Sequence, residues 1–164
     1  DKQDKKALIC SHDPLPPERT MQTLGQLVEA KGGEIWSVTP ETPVLDAISM
    51  MAEKGIGALL VINAGGELAG MLSERDYARK VILKGRSSRS TPAEAIMSHP
   101  VVCARSAQTV DQAMGLMTEK RFRHLPVVNE AEQLIGMVSI GDLVKSIIAE
   151  QQHQIEQLEH YIAG

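Results

Sequence analysis

The sequence predicts an α+β fold that is built from two tandem copies of one β-α-β-β-α unit, and three observations predict it. The segment Val44–Ile82 aligns without a gap with Val110–Ile148, and fourteen of the thirty-nine paired positions are identical. Each copy combines short apolar runs with a run of helical period. Aliphatic residues dominate the 43% hydrophobic fraction, which is typical of a compact core. Because one unit of about sixty residues is marginal alone, we expect the copies to pack sheet to sheet with pseudo-two-fold symmetry.

The first copy begins with a short strand at 34–38. Thr42 suits an N-cap and Pro43 suits the first position of a helix. The apolar stripe that follows has helical period and ends at Gly55 and Gly57. The remaining elements of this copy are predicted at 58–62 (strand), 68–72 (strand) and 74–84 (helix).

The second copy repeats this order, with strands predicted at 101–104, 125–128 and 134–138 and helices at 110–120 and from 141. Apolar residues then recur over 143–162 at helical spacing. We therefore expect a long C-terminal amphipathic helix that extends beyond the repeat and is suited to docking on a partner chain.

The flanking segments set the predicted domain boundaries. Thr91 and Pro92 match a capping box with proline at the first helical position, and they predict a short helix that ends at Met97. Its counterpart in the first copy is predicted at 21–31. The expected organisation is an N-terminal tail (1–20), a first domain (21–84), a linker (85–90), a second domain (91–150) and a helical extension (151–164).

Composition excludes several classes of protein. A net charge of −4 and aromatic residues at 2% argue against a basic, base-stacking surface for nucleic acid. No apolar run reaches the roughly 18 residues that cross a bilayer, so we expect no membrane partner. Cys10 and Cys103 lie far apart and form no metal-ligand pattern. These features predict a reduced, cytoplasmic setting and no metal site.

Two matching motifs carry a family resemblance. Gly70–Asp76 and Gly136–Asp142 share the pattern glycine, hydrophobic residue, any residue, serine, two residues, aspartate. Together with Arg123–Val128 and Ala95–Ser98, they resemble a cystathionine-β-synthase (CBS) domain pair, or Bateman module, over roughly residues 21–150. The resemblance implies a stand-alone regulatory protein, not an enzyme. It also implies adenosyl ligands in two clefts between the repeats, and a homodimer.

The ribose and phosphates of such a ligand have candidate partners in both motifs. A carboxylate can accept hydrogen bonds from both ribose hydroxyls, so Asp76 and Asp142 are the ribose candidates. Ser73 and Ser139 are phosphate candidates because each lies where a strand meets a helix N-terminus. Each Ser-x-x-Asp is equally the pattern of a capping box, and one serine can serve both purposes.

The entry to the second strand distinguishes the two copies. Arg121, Arg123 and His124 stand where the first copy has Gly55, Gly57 and Ala58. Guanidinium groups offset the desolvation of phosphate, so these three residues and Arg75 are further phosphate candidates. The alternatives are a solvated basic loop and a buried strand histidine. The candidate adenine pocket consists of Ile35, Val38, Gly57, Ala58, Met71, Val101, Pro126 and Met137.

The leading hypothesis is a ligand-sensing module that binds AMP, ADP, ATP, NAD or S-adenosylmethionine and transmits occupancy to an effector protein. The alternative is a dimerising adaptor whose nucleotide clefts are weak or empty. An enzyme is disfavoured because the sequence has no recognisable nucleophile–base pair, metal cluster or phosphate loop.

Overall fold

The computed structural model describes residues 8–10 and 22–163, so most of the expected tail lies outside the described residues. The chain divides into two compact units. Unit 1 comprises residues 8–9 and 35–102, and unit 2 comprises Cys10, 22–34 and 103–163. Each unit contains one repeat, and the two repeats have the same element order, which confirms the predicted duplicated α+β fold.

Unit 1 contains strands β2 (Ser37–Val38), β3 (Ala58–Ile62) and β4 (Leu68–Ser73), which form a three-stranded sheet among the described residues. Strand β2 is parallel to β3, and β3 is antiparallel to β4. Helix α2 (Val44–Lys54) follows β2, and helix α3 (Glu74–Tyr77) follows β4 and continues as a π-helical turn, Ala78–Ile82. One face of the sheet packs with α2 in the hydrophobic core, which includes Leu59, Val61 and Leu72.

Unit 2 contains helices α1 (Leu24–Lys31), α4 (Val110–Lys120) and α5 (Ile140–Ala163). The second sheet is formed by β5 (Val101–Arg105), of which residues 103–105 belong to unit 2, with β6 (His124–Val128) and β7 (Leu134–Ser139). A short strand, β1 (Leu8–Cys10), extends this sheet, which has the order β1-β5-β6-β7 in the described part of the chain. The parallel and antiparallel pairings are those of unit 1.

Two helix starts differ from the sequence predictions. Helix α2 begins at Val44 after Pro43, and the hydroxyl of Thr42 accepts from the Thr39 N–H instead of capping the helix. The segment after Thr91 forms a short 3₁₀ helix, Ala93–Ala95, with no side-chain cap. Thr91 is buried there, and its carbonyl accepts from the Val44 N–H. The backbone contact replaces the predicted capping box.

The segment that precedes each repeat packs in the other compact unit. Residues 22–31, here the unit 2 strap, pack beside the second repeat, and residues 91–98, the unit 1 strap, pack beside the first. The Val110 N–H donates to the Gln22 carbonyl in unit 2, as Val44 does to Thr91 in unit 1. The compact units therefore divide the chain differently from the predicted boundaries of 21–84 and 91–150.

Helix α5 is much longer than the repeat requires. Leu143 is buried, Ser146 and Ile147 are half-buried, and every residue from 151 to 163 is exposed. This confirms the predicted C-terminal helix. Among the helices of residues 22–163, none combines the length and the apolar character that crossing a bilayer would require.

Candidate functional site

The predicted site residues share one face of each sheet. Successive side chains of a strand point to opposite faces, and the core side of the unit 1 sheet holds Leu59, Val61 and Leu72. The other face therefore carries Ala58 and Ser73, which are cross-strand partners, and Met71, the partner of Leu60. In unit 2 the same register pairs His124 with Ser139 and Pro126 with Met137.

The adenine prediction needs one correction, at Val38. Its side chain is 7% exposed and belongs to the hydrophobic core of unit 1, so it faces away from the predicted site. Its counterpart in the second repeat is Ala104, which pairs with Val127 on the equivalent face. Val101 lies an odd number of positions from Ala104 along β5, so the two side chains project to opposite faces of the strand. The role of Val101 toward adenine stays a prediction.

In unit 1, Ser73 and Asp76 form a corner between a strand and a helix. The Ser73 Oγ accepts from the Asp76 N–H at 3.2 Å, and Asp76 Oδ2 accepts from the Ser73 N–H at 3.0 Å. This is the capping box that the sequence left as an alternative. The second oxygen, Oδ1, accepts from Lys80 Nζ at 3.0 Å and from the Ser98 hydroxyl at 3.3 Å. The carboxylate is thus well ordered although 15% of the side chain is exposed.

In unit 2, Ser139 and Asp142 repeat this corner with a different cation. Asp142 Oδ2 accepts from the Ser139 N–H at 2.8 Å, and the Asp142 N–H donates to Ser139 Oγ at 3.2 Å. Lys31 Nζ lies 2.7 Å from Asp142 Oδ2 and also donates to the Met137 carbonyl at 3.0 Å. Burial acts to raise the pKa of Asp142, but Lys31 and the Ser139 hydrogen bonds outweigh it and hold the pKa below its ordinary value.

The two lysines are site residues that the sequence analysis missed. Lys80 stands four residues after Asp76 on a helical segment, a spacing that brings opposite charges together, so this pair had a local signal. Lys31 reaches Asp142 from a helix 111 residues earlier in the chain. Only the fold brings these two residues together, and nothing in the local sequence marks Lys31.

His124 lies beside the Asp142 carboxylate and is half-buried. Burial has the largest effect and lowers the pKa of His124, while Asp142 acts to raise it and Lys31 and Arg123 lower it further. The imidazole is therefore mostly neutral near pH 7, where it can donate one hydrogen bond and accept another. A second negative charge beside it, such as a phosphate, would raise the pKa of His124 and so favour the cation.

The arginine candidates occupy different positions around the unit 2 corner. The Arg123 carbonyl accepts from the Ile140 N–H at the start of α5, which places its backbone at the corner. Arg121 follows α4 with a φ of 58°, where Gly55 of the first repeat has a φ of 65°. Arg121 and Arg123 are both exposed. Arg75, in the first turn of α3, is exposed in unit 1.

An open groove of about 480 Å³ runs along α5 in unit 2, away from this corner. Its lining is polar and includes Gln22, Ser146 and His153. None of the predicted ribose, phosphate or adenine residues lines it. The groove has no counterpart among the sequence predictions.

A duplicated β-α-β-β-α chain with a Ser-x-x-Asp corner in each copy defines a class of tandem α+β repeats. The chain matches the CBS domain family over residues 33–82 and 93–149, and it belongs to that family.

Relatives of the chain carry the same domain. It is 41% identical over 139 residues to the mitochondrial CBS domain-containing protein CBSX3 of Arabidopsis thaliana, covering 82% of this chain and 66% of that protein. It is 33% identical over 110 residues to CBS domain-containing protein YhcV of Bacillus subtilis, covering 67% and 76% respectively. The chain thus spans slightly less than two thirds of the Arabidopsis protein.

Solved structures share the fold. A Burkholderia ambifaria protein with CBS domains is 52% identical with a TM-score of 0.75, covering 79% of this chain and 96% of that one. The structure of CBSX2 in complex with AMP is 26% identical with a TM-score of 0.62, covering 79% of this chain and 98% of that one.

Proposed function

We propose that this chain is a regulatory module that binds an adenine nucleotide at its Ser-x-x-Asp corners and transmits occupancy to an effector protein. The observation that carries the proposal is the repeated corner itself. In both repeats a mostly buried carboxylate lies at the start of a helix and beside a methionine-bearing sheet face. The AMP complex of the relative CBSX2 supports this choice of ligand class.

The ribose is assigned to Asp76 and Asp142. In unit 2, Lys31 and the Ser139 N–H both donate to Asp142 Oδ2, so a ribose hydroxyl is assigned to Oδ1. In unit 1, Lys80 and the Ser98 hydroxyl both donate to Asp76 Oδ1, so a ribose hydroxyl would take the place of Ser98. The ammonium of Lys31 or Lys80 keeps the carboxylate ionised, and an ionised acceptor makes the stronger hydrogen bond. The capping bonds fix the carboxylate before the ligand arrives, which lowers the entropy that binding must remove.

The phosphates are assigned to Ser73, Ser139, Arg75, Arg121, Arg123 and His124. The unit 2 corner has the larger share of cationic groups, so it suits the longer phosphate chains of ADP, ATP or NAD. S-adenosylmethionine carries a positive sulfonium and no phosphate, and cations repel it. We therefore expect unit 2 to favour phosphate-bearing ligands over S-adenosylmethionine.

In each unit, the adenine ring is assigned to the sheet face on which that unit's corner lies. Met71 and Met137 are half-buried there, and a polarisable thioether packs well on an aromatic ring. The other proposed adenine contacts are Ile35, Gly57 and Ala58 beside the first sheet, and Val101 and Pro126 on the second sheet. This surface offers apolar contact, whereas the groove along α5 is polar.

The test is isothermal titration of the full chain with AMP, ADP, ATP, NAD and S-adenosylmethionine, followed by Asp76→Asn and Asp142→Asn. Asparagine keeps an acceptor oxygen for the helix cap but cannot accept from two hydroxyls and a lysine. We expect each variant to lose one site and the double variant to lose both. Asp46→Asn and Asp111→Asn are matched controls, because both aspartates lie in the first turn of a helix and are exposed.

The opposite result would support the adaptor. If none of the five ligands gives a binding isotherm, and if the corner variants behave like the controls, nucleotide binding is not the function of these corners. The chain would then act through its surfaces alone.

A further inference from the structure

Helix α5 exposes a regular apolar stripe that begins near its start and continues to its end. Val144, Ile148, Ile155, Leu158 and Ile162 are 41%, 59%, 48%, 62% and 82% exposed. With Gln151 they recur at alternating intervals of four and three residues, and we call these six residues the α5 seam. Every residue of 151–163 is exposed, whereas most helical stability in proteins comes from packing of an apolar face. The stripe therefore indicates a surface that is covered in the assembled protein.

The spacing is that of a coiled-coil heptad. Ile148, Ile155 and Ile162 occupy a positions, and Val144, Gln151 and Leu158 occupy d positions. Side chains with this repeat insert as knobs into the holes of a facing helix. The seam predicts a single partner helix of similar pattern.

The residues that flank the seam indicate the identity of the partner helix and its direction relative to α5. On one side lie Lys145, Gln152 and Glu159, and on the other lie Ile147, Gln154 and Tyr161. In a parallel pair the two sides face each other, and neither charged residue meets an opposite charge. In an antiparallel pair like sides face each other, so Lys145 of each copy faces Glu159 of the other.

We propose that α5 pairs with the α5 of a second copy of this chain as an antiparallel two-stranded coiled coil. Ile148 then packs on Leu158 of the second copy, Ile155 on its Gln151, and Val144 on its Ile162. The seam is complementary to itself in shape, charge and register. Binding to an unrelated partner would not require this self-complementarity. This pairing goes beyond nucleotide binding and does not depend on it.

The first experiment measures the mass of the full chain in solution by light scattering during size-exclusion chromatography. We expect twice the 17.8 kDa of one chain. The double variant Ile155→Lys/Leu158→Lys places four cations in the seam of the dimer and is expected to raise its dissociation constant on the order of a hundredfold. Gln157→Lys/His160→Lys is the control, because it adds the same charges at the same spacing outside the seam.

Three results of this experiment would overturn the proposal. They are a wild-type chain of monomeric mass, a seam variant that stays as dimeric as wild type, and a control that dissociates as far as the seam variant. The second result would show that a dimer uses another surface. Circular dichroism checks that both variants are folded, because each is expected to retain the helical signal of residues 22–150.

The second experiment tests the direction of the helices. Lys145→Glu and Glu159→Lys each place like charges together twice in an antiparallel dimer, so each is expected to weaken it about fivefold or more. The combined variant restores opposite charges and is expected to recover wild-type affinity. Single variants without effect, or a combined variant as weak as either single one, would overturn the antiparallel arrangement.

Discussion

The two Ser-x-x-Asp corners share a backbone and differ in the groups around it. Both have the same strand register, the same capping bonds and an aspartate held by a lysine. The entry to the second strand has Gly55, Gly57 and Ala58 in unit 1. The aligned residues in unit 2 are Arg121, Arg123 and His124. Both repeats have therefore kept the serine and aspartate that form the turn, but they differ in the neighbouring side chains that a ligand would contact. We infer that the two corners bind different ligands or the same ligand with different affinities.

The lysines show how the two repeats reach a similar geometry by different routes. In unit 1 the Met71 carbonyl accepts from the Ser98 backbone N–H, whereas in unit 2 the Met137 carbonyl accepts from the Lys31 ammonium. Lys80 bridges Asp76 to the Ile96 carbonyl of the unit 1 strap. The unit 2 strap is thus joined to its corner by a charged side chain, and the unit 1 strap is joined by backbone and side chains together.

The largest expected effect is at the contact between a strap and a strand. A Cβ at Gly136 would lie 2.5 Å from Val28 Cγ1, and valine is branched at Cβ and cannot turn away. We expect Gly136→Ala to lower the free energy of unfolding by about 1–3 kcal/mol, measured by urea denaturation.

The equivalent change in unit 1 sharpens the comparison. A Cβ at Gly70 would lie 2.5 Å from Met97 Sδ and 3.0 Å from the Ser98 carbonyl oxygen. The closer of these two contacts is in a flexible methionine side chain. Gly70→Ala is therefore expected to be less destabilising than Gly136→Ala. Val28→Ala should partly rescue Gly136→Ala, and equal losses in both units, with no rescue, would contradict a steric cause.

A second prediction concerns the position after the first helix of each repeat. Arg121 adopts a left-handed φ of 58°, which glycine adopts without strain. Arg121→Gly is expected to stabilise the fold by about 1 kcal/mol and to weaken the binding of phosphate-bearing ligands at unit 2. Thermal melting and titration measure the two effects separately. A variant that is more stable and binds equally well would remove Arg121 from the phosphate site.

The third prediction compares the lysines. Lys31 joins two elements that are distant in sequence, and Lys80 makes its ion pair within one helical turn. Both are partly exposed, so we expect Lys31→Met to lower the free energy of unfolding by only about 1 kcal/mol, and Lys80→Met by less. The same urea experiment decides this, and a larger loss of unfolding free energy for Lys80→Met than for Lys31→Met would contradict the prediction.

The smallest effect is a pH dependence. The pKa of His124 lies below its ordinary 6.5 because burial disfavours the cation. The unfolded chain therefore takes up the proton first, and the free energy of unfolding falls as the pH is lowered below about 6.5. His124→Gln should reduce this loss, as melting temperatures at pH 7.5 and 5.5 would show. Asp142 titrates in a lower window, because its own pKa is lowered from 3.8.

Local pattern was enough to predict most of the secondary structure. Helix α4 and strand β3 have their predicted bounds, since apolar period and adjacent breakers such as Gly57 determine them. The Ser-x-x-Asp corners were predicted as both cap and site, and the caps are confirmed. Their role toward ribose stays a prediction.

Contacts between distant segments could not be predicted. Lys31 reads as a solvated residue at a helix end, and only the packing of α1 beside the second repeat brings it to Asp142. The face of the sheet that Val38 occupies could not be predicted either. It depends on the register of the two-residue strand β2 with β3, which the sequence does not specify. Sheet-to-sheet packing of the repeats stays a prediction.

The exchange of the straps bears on how such a chain can be shortened or recombined. A fragment cut at the polar join near Gly85 would carry the first repeat without residues 91–98, and with a helix whose packing surface is encoded downstream. The complementary fragment would leave Gly136 uncovered, because Val28 would be missing. The smallest complete fragment is therefore the pair of repeats with both straps. A chain that lost one repeat and its neighbouring strap would leave the other repeat incomplete.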